Sequence, residues 1–175
     1  MTDPSTDTTG SALTGRGPVE SFWDLARFHA KMNTAPSYFG PTTLEMVPPP
    51  AWAFGATKQE ADELLALVLA GTKTATASSH ADYELEDEPL PQPGTLGIVL
   101  DGDGHPRALV ETTDVRVVAF DQVDAEHAHL EGEGDRSLEH WRAAHERFFA
   151  EHAAHGFDPQ MLLVLERFRV VYAGD

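Results

Sequence analysis

Residues 70–79 read Ala-Gly-Thr-Lys-Thr-Ala-Thr-Ala-Ser-Ser, and they mark the change from a helical to a β-rich part of the chain. Gly71 is of the type that most often ends a helix, and the threonines after it favour a strand. Lys73 precedes Thr76 by three positions. A lysine among hydroxyl groups can act as a base, a nucleophile or a phosphate ligand. A helix end followed by a strand explains the same residues without any function.

The composition limits the classes of partner. The chain has 175 residues, no cysteine and a formal net charge of -17. The length suits one domain with a tail, and the lack of cysteine excludes disulfides and thiolate-bound metals. The charge argues against a long DNA duplex and favours a small nucleoside or a short single-stranded RNA. Since no leader and no apolar run of about 18 residues is visible, we expect a cytoplasmic protein without a membrane partner.

The first part of the chain divides into a tail and a helix. Residues 1–19 are rich in Thr, Ser, Asp, Gly and Pro and show no apolar periodicity. This composition predicts a disordered N-terminal tail, with one domain spanning residues 20–175. Residues 20–33 carry an apolar stripe at helical spacing, which predicts a helix. The prolines between positions 36 and 50 then predict an extended connection.

A second helix is predicted between Thr57 and Gly71. Thr57 and Glu60 have the spacing of a capping box, in which each side chain bonds the backbone of the other. Apolar residues follow at positions typical of one helix face, namely Ala61, Leu64, Leu65, Val68 and Leu69. After the central stretch, residues 80–93 are rich in Asp, Glu and Pro, which predicts an acidic exposed loop.

The remaining segments predict strands, two helices and a closing strand. In chain order they are a hairpin of 95–100 and 107–112, a strand at 114–120, a short helix at 122–129, an acidic turn at 131–135, a helix from Ser137 to about His155, and a strand at 161–172. This order of elements predicts an α+β fold with a curved antiparallel or mixed sheet.

Several segments carry a family resemblance in this order. They are Gly71-Thr72-Lys73-Thr74-Ala75-Thr76-Ala77-Ser78, Pro93-Gly94, Glu111-Thr112-Thr113, Phe120, and Glu131-Gly132-Glu133-Gly134-Asp135-Arg136-Ser137-Leu138 followed by Trp141, Arg142 and His145. The set resembles an ASCH domain, a fold related to the PUA RNA-binding domain, over roughly residues 22–172. The resemblance implies a small PUA-like β-barrel with helices packed around it.

The resemblance also implies an activity. Some small ASCH proteins resemble amidohydrolases that remove the acetyl group from N4-acetylcytidine with a lysine, a threonine three residues later, and a glutamate after the barrel strands. These residues fall on Lys73, Thr76 and Glu131, which are the predicted catalytic residues. Those enzymes have an arginine two residues after the threonine, where this chain has Ser78.

Two other functions stay open at this point. Longer ASCH proteins similar to this chain resemble metal-assisted ribonucleases acting on single-stranded RNA, or non-catalytic RNA-binding modules. All three functions place the site in one cleft between Lys73 and Glu131. We expect no cofactor and no resident metal, and we interpret His127 and His129 as solvated.

The amidohydrolase mechanism makes demands on the pKa of each group. Thr76 attacks the acyl carbon only if a base takes its proton, and Lys73 can do so only with a lowered pKa. Glu131 needs a raised pKa to protonate the leaving amine. An ion pair between Lys73 and Glu131 has the opposite effect on the lysine, and it makes Lys73 a cationic anchor for a phosphate or carbonyl oxygen.

A further set of side chains is predicted to bind the substrate. They are Ser78, Ser79, Tyr83, Trp141 and His145. The serine hydroxyls can stabilise an oxyanion, and Tyr83 or Trp141 can stack on a nucleobase. Trp141 lies on the apolar face of its predicted helix, and this position favours a core residue over a base-stacking one.

Overall fold

The computed structural model describes residues 17–31 and 47–174. Its elements are α1 (Pro18–Lys31), β1 (Ala51–Trp52), α2 (Lys58–Leu69), β2 (Ala75–Ser79), α3 (His80–Glu86), β3 (Leu96–Leu100), β4 (Pro106–Ala119), α4 (Ala125–Glu131), α5 (Leu138–His152) and β5 (Leu162–Ala173). Residues 1–16 of the predicted tail lie outside the described residues, and α1 begins two residues before its predicted start. No helix in the described ranges is long and apolar enough to cross a membrane.

Helix α2 forms where the sequence predicts it. The Thr57 hydroxyl accepts a hydrogen bond from the backbone N–H of Glu60, and the Glu60 carboxylate accepts one from the backbone N–H of Thr57. A cap of this kind stabilises a helix by about 1 kcal/mol. Leu65 and Val68 are buried on the inner face. Gly71, with a φ of 74°, then turns the chain towards β2.

The strands form one mixed sheet in the order β1-β3-β4-β5-β2. β1 runs parallel to β3, and the other neighbours are antiparallel. The α+β class is confirmed, but the predicted closed barrel is wrong, because β1 and β2 lie at opposite edges and do not pair. A barrel needs both edges to be hydrogen-bonded to each other. β1 has only two residues, and just before β2 the Thr74 N–H donates instead to the Leu130 carbonyl of α4.

The two strands predicted at 107–112 and 114–120 are one continuous strand, β4. It forms the predicted hairpin with β3 and then continues along β5 as far as the pair Ala119–Leu162. The register shifts between Thr112 and Asp114, where one extra residue is accommodated. A β-bulge interrupts the alternation of side chains without ending the strand, and for that reason the sequence pattern resembles two strands.

The acidic segment after β2 is helical in its first half, which corrects the predicted loop. α3 starts directly after Ser79 and ends at Asp87, which adopts the left-handed conformation with a φ of 53°. Asp82 in the first turn favours the helix through its dipole. The prolines that suggested a loop all follow the helix, so they do not interrupt it.

Helices α4 and α5 flank the acidic turn. The Asp124 side chain caps α4, and the Ser137 hydroxyl caps α5 by accepting from the His140 N–H. α4 extends to Glu131, two residues beyond its predicted end, and Gly132 ends it with a φ of 75°. The turn therefore begins one residue later than the sequence predicts, and Glu131 is held on a helix.

Alternating side chains divide the sheet into two faces. On one face Phe168 packs with Phe54 and the inner side of α2. On the other face Leu163 and Leu165 pack with α5. Glu166 lies between these positions along β5, so it points to the same face as Phe168. This face also carries Thr76 and Ser78 of β2, as described below.

Candidate functional site

Lys73 and Glu131 meet in a buried ion pair although they are 58 positions apart. Lys73 Nζ lies 3.1 Å from Glu131 Oε2 and 2.7 Å from Glu133 Oε1. The Lys73 and Glu131 side chains are each 1% exposed, whereas Glu133 is 26% exposed. The ammonium group also lies 5.2 Å from the centroid of the Phe54 ring. The lysine is thus held by two carboxylates and one aromatic ring.

The backbone brings these two residues together at the start of β2. Thr74 N–H donates to the Leu130 carbonyl at 2.8 Å, and this bond joins the lead-in of β2 to the end of α4. A side chain at Gly132 has no room, because a Cβ there falls 2.5 Å from the Thr72 carbonyl oxygen. Gly132 therefore permits the close approach of α4 to this segment.

Three further side chains contact the Glu131 carboxylate. Trp141 Nε1 donates to Oε1 at 2.8 Å, and His127 Nε2 lies 2.9 Å from the same oxygen. His145 Nε2 lies 3.4 Å from Oε2. Buried carboxylates need such donors, because an unpaired charge in the interior is strongly unfavourable.

His145 is fixed in place by Trp141. The two rings stack with centroids 4.1 Å apart, and His145 Nδ1 donates to the Trp141 backbone carbonyl at 3.0 Å. The second nitrogen of His145 therefore faces Glu131. His127 is fully buried, not solvated as the sequence suggested, and its Nδ1 has no partner in the described part of the chain.

These contacts determine the protonation states. Burial alone lowers the pKa of Lys73, but the charges of Glu131 and Glu133 outweigh it and raise the pKa above its usual value. Burial alone raises the pKa of Glu131, but the charge of Lys73 and the bonds from the histidines hold it well below its usual value. At neutral pH the pair is therefore an ammonium and a carboxylate, which suits a cationic anchor and not a general base.

The structure places Trp141 and Ser79 in the interior. Trp141 is 2% exposed and Ser79 is 3% exposed. A buried indole has no free face on which a base can stack, so its position matches the core alternative. Its N–H is nevertheless used, since it orients Glu131. His145, predicted to contact the substrate, faces the same carboxylate.

A second polar group lies on the face of the sheet that carries Glu166. Thr76 of β2 is the direct cross-strand partner of Glu166, and Ser78 lies two positions further along the same face. Ser78 Oγ is 3.2 Å from the Tyr83 hydroxyl on α3, and Thr112 Oγ1 donates to Glu166 Oε2 at 3.1 Å. Thr112 is buried, and the other four side chains of this group are partly exposed. No hydrogen bond among the described residues joins Thr76 to Lys73 or Glu131.

Sequence reasoning did not mention Glu166, and it interpreted Glu133 as part of an acidic turn and His127 as solvated. The spacing of His127 and Glu131 by four positions on a helix is a signal that could have joined them. Glu166 breaks the apolar alternation of β5, and a charged residue within a predicted core strand could have been singled out. Within residues 17–31 and 47–174 no cluster of three His, Asp or Glu side chains is arranged to hold a metal ion.

These features define a small α+β domain with an open mixed sheet and a buried lysine–carboxylate group beside its edge strand. The chain belongs to the ASCH domain family, whose model matches residues 50–172. A protein from Enterococcus faecalis is 36% identical in sequence to this chain, and the match covers 87% of each chain. Its crystal structure superposes on this structure with a TM-score of 0.73. The ASCH domain from Lactobacillus crispatus is 30% identical over 91% of this chain and 98% of its own, also with a TM-score of 0.73. No curated protein matches the chain.

Proposed function

We propose that this protein hydrolyses the exocyclic amide of an N4-acylated cytidine, using Lys73, Thr76 and Glu131. The observation that supports this function is the buried contact of Lys73 with Glu131 at 3.1 Å. It joins two of the three residues that the family resemblance implies, immediately before the strand that carries the third. The net charge of -17 favours a small neutral substrate of this kind over a polyanion.

Lys73 supplies a fixed positive charge to the site. Its raised pKa means that it keeps its proton at neutral pH. In a protein interior such a charge lowers the free energy of negative charge that develops on a carbonyl oxygen during acyl transfer. Glu131 and Glu133 keep the lysine charged and hold its ammonium in one position.

Thr76 supplies the nucleophile. Its Cα lies within about 11 Å of that of Lys73, because three residues of extended chain reach no further. The Thr76 side chain is partly exposed, and its hydroxyl makes no side-chain hydrogen bond in the described ranges. The hydroxyl is therefore accessible to a substrate, but it needs a base.

The test is incubation of the purified protein with N4-acetylcytidine and chromatographic measurement of cytidine. We expect cytidine release by the wild type and a loss of at least about 100-fold in Lys73→Met, since one electrostatic group of this kind is worth that much. Thr76→Val should release none, whereas Thr76→Ser should retain part of the activity. Lys58→Met is the matched control, because Lys58 is an exposed lysine whose ion-pair partner among the described residues is Asp103.

Two results contradict the proposal. If the wild type releases no cytidine, the amidohydrolase function is wrong. Cleavage of a single-stranded RNA only with Mg²⁺ or Mn²⁺ then indicates a ribonuclease, and RNA binding without cleavage indicates a binding module. If Thr76→Val keeps full activity, the threonine has no part in the reaction.

A further inference from the structure

Glu166 lies directly opposite Thr76 on the neighbouring strand. The register of β2 and β5 pairs the two residues, and the Cβ atoms of such a pair lie about 5 Å apart on the same face. A glutamate carboxylate at this place is within reach of the Thr76 hydroxyl, directly or through one water. Thr112 Oγ1 donates to Glu166 Oε2 at 3.1 Å and so orients the carboxylate.

Glu166 differs from Glu111, the other glutamate of the sheet, because no cation in the described part of the chain pairs with it. Glu111 on β4 pairs with Arg169 at 2.9 Å from its Nε. Arg167, the residue after Glu166, points to the opposite face and pairs with Glu126. Among the described residues Glu166 has only the Thr112 hydroxyl as a side-chain partner, and its Oε1 is free. A partly buried carboxylate without a cation is unfavourable to folding, and this suggests a functional reason for it.

We propose that Glu166 is the proton acceptor that activates Thr76. This inference rests on the proposed hydrolase function and names the base that Lys73 and Glu131 do not provide. The three residues have the arrangement of a nucleophile, a base and an orienting group, in the order Thr76, Glu166 and Thr112. Glu166 is then a catalytic residue, and Thr112 is a positioning residue.

The proton transfers balance with Glu166 alone. The Thr76 Oγ–H bond breaks, its proton passes to Glu166, and Oγ bonds to the acyl carbon. The bond from that carbon to N4 then breaks, and Glu166 returns the proton to N4, which releases cytidine and leaves the acyl group on Thr76. A water oxygen then bonds to the acyl carbon and gives one proton to Glu166. The bond from that carbon to Thr76 Oγ breaks, Glu166 passes its proton to Oγ, and the carboxylic acid is released.

The surroundings of Glu166 fit this role. Burial raises its pKa above the usual value of 4.5, and the hydrogen bond from Thr112 lowers it in part. The groups that face it are the hydroxyls of Thr76 and Thr112, the side chain of Val115 on β4, and the phenol of Tyr83, whose own pKa is raised by burial and by Glu166 among other charges. A base with a raised pKa is better matched to neutral pH than an exposed glutamate.

The first experiment compares kcat/KM for N4-acetylcytidine over a pH series. We expect Glu166→Gln to lower kcat/KM by about 100-fold or more, with an unchanged circular dichroism spectrum. In the wild type, activity should fall towards acid with a midpoint above 4.5, because Glu166 must be unprotonated to act. Thr112→Val should move that midpoint further up, since it removes the bond that lowers the pKa. Full activity or an unchanged acid limb in Glu166→Gln overturns the inference.

Glu111→Gln is the matched control, because it removes a carboxylate from the same sheet at a position paired with Arg169. Its kcat/KM should stay within about twofold, as expected for a surface change away from the site. A loss equal to that of Glu166→Gln shows that the effect is a general one of charge, and this contradicts the role of Glu166.

A second experiment separates this inference from the choice of substrate. The protein is treated with 4-nitrophenyl acetate, and acetylation of Thr76 is measured by peptide mass spectrometry. If no cytidine is released but Thr76 is acetylated in the wild type and not in Glu166→Gln, the nucleoside substrate is wrong and the role of Glu166 stands. Equal acetylation of Thr76 in both proteins, or none in either, overturns the role of Glu166.

Discussion

The Glu131 carboxylate is buried and contacts four other side chains. Lys73, His127, Trp141 and His145 all contact its two oxygens. In such a group the Coulomb attraction offsets the desolvation of the charges only while every partner is present. The side chain is therefore as important to folding as to any chemistry, and the two effects must be measured separately.

We expect Glu131→Gln to lower the free energy of unfolding by about 3 to 5 kcal/mol, because it leaves a buried ammonium with only Glu133. Lys73→Met should also be destabilising, since it leaves Glu131 without its cation. The double variant should lose less than the sum of the two, because both changes break the same contact. Urea denaturation measures this, and strictly additive losses would show that the two residues do not interact.

The contacts of His145 predict that the stability depends on pH above 6.5. Burial alone lowers its pKa, but the bond and charge of Glu131 and the charge of Glu133 raise it above 6.5. A raised folded-state pKa stabilises the fold fully below pH 6.5, and that stability is lost as the pH rises through the folded value. We expect the unfolding free energy to decrease above pH 6.5, and to decrease less in His145→Gln. His105→Gln is the control, because His105 is exposed. An equal reduction of the pH dependence in His105→Gln contradicts the assignment of that dependence to His145.

The junction of α4 with the lead-in of β2 depends on glycine. Gly132 and Gly71 have nearly the same φ, 75° and 74°. A Cβ at Gly132 falls 2.5 Å from the Thr72 carbonyl oxygen, whereas a Cβ at Gly71 meets nothing within 4 Å. The two positions thus separate the conformational role of glycine from the steric one.

We expect Gly71→Ala to cost about 1 kcal/mol of stability, which is the usual penalty of the left-handed conformation. Gly132→Ala should cost clearly more, because it also pushes α4 away from Thr72 and displaces Glu131 from Lys73. Thermal denaturation of the two variants gives the comparison. Similar midpoint temperatures for the two variants would mean that the chain relieves the close approach at Gly132 without loss of stability.

The N-terminal segment that precedes α1 is polar in composition. Residues 1–16 contain few apolar side chains and lie outside the described residues. We propose that they contribute nothing to the core. A variant that starts at Gly17 should keep the unfolding free energy of the full chain within about 0.5 kcal/mol, as changes outside a core do. Strong hydrogen-exchange protection of amides 6–16 in the full chain would contradict this.

Local features of the fold were predictable because their causes lie within a few residues. The capping box of Thr57 and Glu60 and the Ser137 cap involve partners three positions apart. The hairpin of β3 and β4 follows from a short turn between two apolar runs. The bulge next to Thr112 could not be predicted in this way. When no partner strand is known, a register shift has the same sequence pattern as the end of a strand, and β4 was therefore predicted as two strands.

The sequence by itself determined helices α1, α2, α4 and α5, most of the strands and the α+β class, because hydrophobic periodicity and capping act over short distances. Through the family resemblance it also put forward Lys73, Thr76 and Glu131 as candidate catalytic residues. Only the tertiary structure decided that the sheet is open, that Lys73 is a charged partner of Glu131, and that Glu166 faces Thr76. Those facts depend on which distant segments meet and in which register, and a strand shifted by one residue would point Glu166 to the opposite face.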